Sequence, residues 1–180
     1  MKILAISGSL RAASLNSALL RAAARLAPAG IAVELFGGLG DLPLFNPDRV
    51  ADAPAAVANF RAQLLAADAV LIASPEYAHG ITGAMKNGLD WMVGCEAFVD
   101  KPVALLNASP RAFHAQAALK EILSVMSARV VDEASITLPI IGAGLDEAGI
   151  VADPELSIAL QQALRVLQAA TASPAELPDI

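Results

Sequence analysis

The sequence is short of cysteine, aromatic residues and charge, and each shortage excludes a class of protein. Cys95 is the only cysteine in 180 residues, which leaves no disulfide framework and no thiolate metal cluster. It follows a helix with no motif that activates a thiol, and reads as inert. Charged residues make up 17% and aromatics 4%, and 18 Asp and Glu outnumber 12 Lys and Arg, for a formal charge of −6. An acidic chain with a pI near 4.8 has no basic stripe for nucleic acid. A local basic pocket for a small anion remains compatible with it. Long apolar runs are missing too, although hydrophobic residues reach 56% and the mean hydropathy is +0.58. A membrane span needs roughly 18 uninterrupted apolar residues. The richest run, Ala134 to Leu145, is broken by Ser135, Thr137, Pro139, Gly142 and Gly144. A soluble protein with no membrane partner is expected. A lone Lys2 without a small-residue cleavage site gives no secretory leader, so the expected compartment is the cytoplasm.

Several catalytic signatures are also absent. No G-x-G-x-x-G dinucleotide fingerprint, no P-loop and no G-x-S-x-G nucleophile elbow occurs. The histidines, His79 and His114, have no carboxylate or thiol cluster near them in sequence, and no metal site is expected. Without the glycine fingerprint, Glu34 reads as a solvent-facing strand residue rather than a ribose-binding acid.

What is present is alternation. Short apolar runs at Lys2–Ser7, Ile31–Phe36, Ala69–Ser74 and Pro102–Asn107 have the length and bounding turn residues of strands, the first of them buried. Arg129–Val131, or the later Ser135–Leu138, supplies a fifth. Between them lie helical periodicities: Asn16–Ala27, Pro54 to about Ala67, Thr82–Val93, Ala112–Met126, and a final helix from Asp153-Pro154 to about Ala170. Strands alternating with helices imply right-handed crossovers around a parallel sheet covered on both faces. The expected architecture is a three-layer αβα sandwich with a five-stranded parallel sheet in the order 2-1-3-4-5. One domain is expected over residues 1–172, with a flexible tail at 173–180.

In such sheets ligands sit beyond the carboxyl ends of the strands, so the loops after strands one, three and four are the candidates. The first, Gly8 to Ser17, crowds Ser9, Arg11, Ser14, Asn16 and Ser17 at a helix start. A helix N-terminus with hydroxyls and a guanidinium suits a phosphate dianion. A capping Ser14 or Asn16 with a solvated Arg11 is the competing explanation. The second loop carries Pro75, Glu76 and Tyr77, with Gly80 and Gly83 expected to shape the turn. It leads into a helix where Lys86 and Asp90 are spaced to pair. The third holds Ser109, Pro110, Arg111, Phe113 and His114. His79 and His114 thus both fall in ligand loops, where a general-acid role and a simple hydrogen-bonded role both stay open.

Together Gly8-Ser9-Leu10-Arg11 with Ser14 and Asn16, Pro75-Glu76-Tyr77, and Lys86-Asn87 with Asp90-Trp91 resemble the NADPH-dependent FMN reductase family, whose fold is flavodoxin-like. The match runs from Met1 to about Leu138. The resemblance implies FMN as cofactor and NADPH or NADH as co-substrate. It implies hydride transfer through the flavin to free flavin, a quinone or a similar small acceptor by a ping-pong mechanism. The alternative is a flavodoxin-type FMN electron carrier that does not turn over NAD(P)H. It also implies that Ser9, Arg11, Ser14, Leu15, Asn16 and Ser17 surround the FMN phosphate. Pro75, Glu76, Tyr77, Ala78, His79 and Gly80 would lie along the ring, with Ser109 and Arg111 at its pyrimidine side. No side chain is named as catalytic. The Lys86–Trp91 helix would form homodimer or homotetramer contacts. The chain departs from the family pattern at Ala78, Gly80 and Thr82 and in the Ser109–His114 loop, all facing the substrate side.

Overall fold

Three of the short apolar runs become buried strands, because alternate residues meet helices on opposite faces of one sheet, whereas the run ending at Phe36 forms an edge strand exposed at Ala32, Glu34 and Leu35. A computed structural model describes residues 1–172, and the tail expected at 173–180 lies outside the described residues. The strands β1 (Lys2–Ser7), β2 (Ala32–Phe36), β3 (Ala69–Ala73) and β4 (Pro102–Asn107) are mutually parallel. With β5 (Arg129–Val130) the order is β2-β1-β3-β4-β5, the doubly wound arrangement.

The two faces differ in side-chain size. Ala5, Ala69, Ala73 and Ala104 on one face let α1 (Leu15–Arg25) and α6 (Pro154–Ala172) approach closely, through Leu19, Leu20, Leu160, Leu164 and Leu167. Leu4, Ile6, Val70, Ile72 and Leu105 on the other face meet α2 (Ala55–Ala66), α3 (Gly83–Met92) and α4 (Phe113–Val125), through Phe60, Leu64, Met85 and Leu119. Each such fully buried aliphatic side chain contributes on the order of 1.5–3 kcal/mol of transfer free energy. Lys101 closes the open end of α2: its ammonium donates to Leu64 O at 2.7 Å and Ala67 O at 2.6 Å. Burial holds its pKa below the ordinary lysine value, against the opposing pull of Asp68.

Three features differ from the sequence expectation. The fifth strand is neither of the two alternatives alone. Arg129–Val130 pairs with the start of β4, and β6 (Ile136–Thr137) pairs with its end. The turn Asp132–Ala134 separates them. Ser135 fills the gap, accepting from Leu105 N–H at 3.0 Å and donating to Val131 O at 2.9 Å. Pro54 caps α2 rather than opening it. An extra short helix, α5 (Glu147–Ala152), precedes α6. Asp146 caps it through Gly149 N–H at 2.8 Å, and Glu147 pairs with Arg21 at 2.7 Å and Arg25 at 3.4 Å on α1.

Candidate functional site

The loops after β1, β3 and β4 meet at the carboxyl edge of the sheet around a cleft of about 380 Å³. The first loop leaves the sheet at Gly8, whose N–H donates to Ala73 O at 2.8 Å. A Cβ on Gly8 would lie 2.2 Å from Ser74 Oγ, so only glycine lets the two loops touch here. The loop then enters α1 through Ser14, which is buried and accepts from Ser17 N–H at 3.2 Å. Ser14 is therefore the cap, yet its own hydroxyl proton stays available at the cleft wall. Leu15 and Asn16, in the first turn, have backbone N–H groups with no intrahelical partner. Asn16 is 7% exposed, lines the cleft, and its amide oxygen is buried without a hydrogen-bond partner. Ser9 and the exposed Arg11 complete this end.

The second loop is tied to the first by Thr82. Its hydroxyl donates to Gly8 O at 2.7 Å and accepts from Met85 N–H at 3.2 Å, capping α3. Between Pro75 and Thr82 the chain forms a tight hairpin in which Tyr77 and Gly80 exchange two backbone hydrogen bonds of 3.0 Å. The residues with positive φ are Ala78 at 49° and His79 at 59°, not the expected glycines. This turn normally takes Asn-Gly, and a left-handed conformation costs other residues on the order of 1 kcal/mol each.

In the third loop Ser109 is buried, donates its backbone N–H to Asn107 Oδ1 at 3.1 Å and accepts from Arg111 N–H at 3.2 Å. The helix that follows, α4, has Ala112 at its capping position and no side-chain cap of its own. Glu76 reaches over from the second loop instead and accepts from Ala115 N–H at 2.9 Å. Above this junction His79 stacks on His114 with centroids 4.2 Å apart, and Phe113 lies 4.0 Å from His114.

Of the residues singled out from sequence, Ser9, Arg11, Ser14, Leu15, Asn16, Pro75, Glu76, Tyr77, Ser109 and Arg111 all line the cleft. Ser17 does not: its hydroxyl shares a 2.8 Å hydrogen bond with Ser7. Ala78, His79, Gly80 and His114 lie in the hairpin and in the start of α4, outside the cleft lining. Lys86 and Asp90 pair at 2.6 Å, and Glu34 pairs with Lys2 at 2.8 Å on the exposed sheet edge. Trp91 is buried within its own chain, donating to Pro43 O at 2.7 Å. The lining also includes Ser74, Asn107 and Ile141, which sequence reasoning missed. Asn107 was open to detection as a polar residue closing an apolar strand. Ile141 carries no local signal, since it arrives from beyond β6 and donates its N–H to Ala108 O at 3.3 Å.

One end of the cleft therefore fits an oxyanion, with an open helix terminus, hydroxyl donors and a guanidinium. The rest offers backbone edges and an aromatic rim suited to a flat ring.

A family model described as NADPH-dependent FMN reductase matches residues 1–141. Over 174 residues the chain is 37% identical to an NAD(P)H-dependent FMN reductase of Pseudomonas aeruginosa, covering 93% of this chain and 94% of that one. A 2-hydroxy-1,4-benzoquinone reductase of a Burkholderia species is 38% identical over 112 residues, 61% of each chain. Among solved structures, the flavoenzyme NAD(P)H:(acceptor) oxidoreductase FerB of Paracoccus denitrificans matches with a TM-score of 0.80 at 29% identity, over 95% of both chains.

Proposed function

The chain belongs to the NADPH-dependent FMN reductase family, and from that premise we propose that it works by a ping-pong mechanism, taking hydride from NADPH or NADH and passing it to free flavin, a quinone or a similar small acceptor. It is an NAD(P)H-dependent oxidoreductase with FMN as its cofactor. FMN, when bound, supplies the two-electron carrier between donor and acceptor. With a quinone the net reaction is NAD(P)H, a proton and quinone giving NAD(P)⁺ and hydroquinone.

The observation that supports this reading most directly is the oxyanion end of the cleft. Asn16 is buried there with an unpartnered amide oxygen, beside the open first turn of α1, Ser9, Ser14 and Arg11. These residues would hold a terminal phosphate by charge-assisted hydrogen bonds, with the positive end of the helix behind them. Asn16 satisfies its buried amide by facing a hydroxyl or, rotated, by donating to a phosphate oxygen. The backbone of Pro75, Glu76 and Tyr77 would lie along the ring, with one oxygen of the Glu76 carboxylate held by Ala115 N–H. Ser109 would meet the polar edge of the ring. The chain's task is orientation and exclusion of water rather than proton transfer, and solvent supplies the protons.

Assembly as a homo-oligomer through α3 is part of the same proposal. With Trp91 turned inward, Lys86 and Asp90 on α3 and Val93 just after it, 63% exposed, form the surface this helix offers.

A flavin spectrum of the purified protein, followed by initial rates with NADPH and a quinone, tests the reading. Parallel double-reciprocal lines are expected. Intersecting lines overturn the ping-pong order, and bound FMN without nucleotide oxidation overturns the reductase in favour of an electron carrier.

A further inference from the structure

The hairpin between Pro75 and Thr82 is fastened at its root and meets α4 at its tip by ring contact. Glu76 ties the root to Ala115 N–H at 2.9 Å, and Thr82 ties it to Gly8 O at 2.7 Å. Tyr77 and Gly80 pair their backbones with each other. At the tip Ala78 and His79 hold positive φ, a conformation that persists in such residues only where the surroundings enforce it. The surroundings here are His114, whose ring stacks on His79 with centroids 4.2 Å apart and planes inclined by 28°. Phe113 lies against His114 in turn, at 4.0 Å. Among the described residues neither imidazole takes part in a hydrogen bond or an ion pair. His79 is exposed and His114 half-buried, so both rings are open to proton uptake.

A contact between two imidazoles is one that protons can undo, because imidazole gains its charge between about pH 8 and pH 5. A first proton is tolerated, since a charged ring can lie on the face of a neutral one. A second sets two cations about 4 Å apart, where they repel. His114 is the second residue of α4, at the positive end of the helix, which disfavours a cation further. Arg111, three residues earlier, adds positive charge, and the Glu76 carboxylate at the next residue's N–H offsets one charge and not two. Tyr77 contributes a phenol, which is neutral in this range. Lower on α4, Lys120 pairs with Asp132, and on α3 Lys86 pairs with Asp90.

We propose that the stacked pair His79 and His114 is a pH-operated latch: with at most one ring protonated it holds the hairpin tip against α4, and double protonation in mild acid releases it. Pro75, Glu76 and Tyr77, which line the cleft from this hairpin, loosen with the tip. The consequence for flavin rests on the reading that the ring lies along these three residues, whereas the release itself does not.

Amide hydrogen exchange at Tyr77 and Gly80 in the full chain, corrected for the intrinsic rate at each pH, reads the hairpin directly. Between about pH 8 and pH 5 the wild-type protection is expected to fall about ten-fold or more while the amides of β1 stay protected, a change within reach of two unit charges at this spacing. His114→Phe keeps a ring for the stack and removes the second charge, so its protection should hold over the same range. His114→Ala, without a ring, should be poorly protected already at the alkaline end. Wild-type protection that survives acid overturns the latch. So does an equal fall in His114→Phe, which would put the titrating group elsewhere, and so does full protection in His114→Ala. Riboflavin affinity, free of any phosphate titration, should follow the same curve in wild type and stay level in His114→Phe. Exchange that follows pH while riboflavin binding does not would uphold the latch and move the flavin ring away from Pro75, Glu76 and Tyr77.

Discussion

The carboxylate of Glu76 accepts a hydrogen bond from the backbone N–H of Ala115 at 2.9 Å, fastening the loop after β3 to the helix after β4. That contact sets one dimension of the cleft, because Glu76 and Arg111 both line it from the joined segments.

Glu76→Ala removes the side-chain cap that the loop after β3 lends to α4. A loss of about 1 kcal/mol in unfolding free energy is expected by urea titration, as for other cap deletions. Glu76→Gln keeps an accepting oxygen and should recover part of it. Equal losses for both variants would assign the effect to charge rather than capping.

Arg11→Ala should weaken FMN binding roughly ten-fold or more, since a charge-assisted contact to phosphate contributes about 1.5–3 kcal/mol. Riboflavin, which lacks the phosphate, should bind the variant and the wild type alike. Equal weakening of both ligands, measured by flavin fluorescence quenching, would move the phosphate elsewhere.

Gly8→Ala places a Cβ 2.2 Å from Ser74 Oγ and 2.7 Å from Ser74 Cβ, so the first two loops must separate. Lower stability and lower FMN affinity are expected together. Removing the obstructing side chain with Ser74→Gly in the same protein should restore part of both. A Gly8→Ala protein that binds FMN normally would show that the two loops need not touch.

Thr82→Val strips the hydrogen-bond partner from Gly8 O and the cap from α3 in a buried position. The expected cost is about 1–3 kcal/mol, the range for a buried polar group left unsatisfied. Thr82→Ser keeps the hydroxyl and should lose much less in the same thermal or urea unfolding measurement.

Acid should weaken the clamp between α1 and α5. The Arg21 hydrogen bond holds the Glu147 carboxyl below its usual value, burial opposes this, and Arg25 adds to the lowering. A carboxyl lowered by folding stabilises the native state above its ordinary pKa, about 4.3. The contribution fades as pH falls through that value and is gone below the lowered native one. Wild type should therefore exceed Glu147→Gln in unfolding free energy at neutral pH and match it in strong acid. A gap that does not change with pH would exclude the ion pair as its source.

How much was legible in the sequence follows from how local each signal is. β1, β3 and β4 announce themselves as apolar runs, because strands buried on both faces need no polar alternation. The helix α5 gave no such signal. It is short, contains Gly149, and is held by the Asp146 cap and by Arg21 and Arg25 from a distant helix. The divided edge strand left both halves readable, but only Ser135 bonding to Leu105 and Val131 explains how the sheet uses both. At the cleft, the polar crowd before α1 pointed to its own place. The Ala78-His79 hairpin did not, since nothing in those residue types asks for positive φ. The long-range ties of Glu76 to Ala115 and Thr82 to Gly8 depend on loops brought together by the sheet order, which no window of sequence contains.

The divided edge of the sheet also bears on colloidal behaviour. A long uninterrupted outer strand presents a row of unsatisfied backbone groups on which another chain can grow by strand addition. Here that border is cut into Arg129–Val130 and Ile136–Thr137 by the Asp132–Ala134 turn, with acidic Asp132 and Glu133 exposed at the break. Among the described residues no continuous ladder runs along this border for amyloid-like stacking. A chain more than half hydrophobic by composition thereby gains protection against edge-to-edge aggregation on the side where its parallel sheet ends.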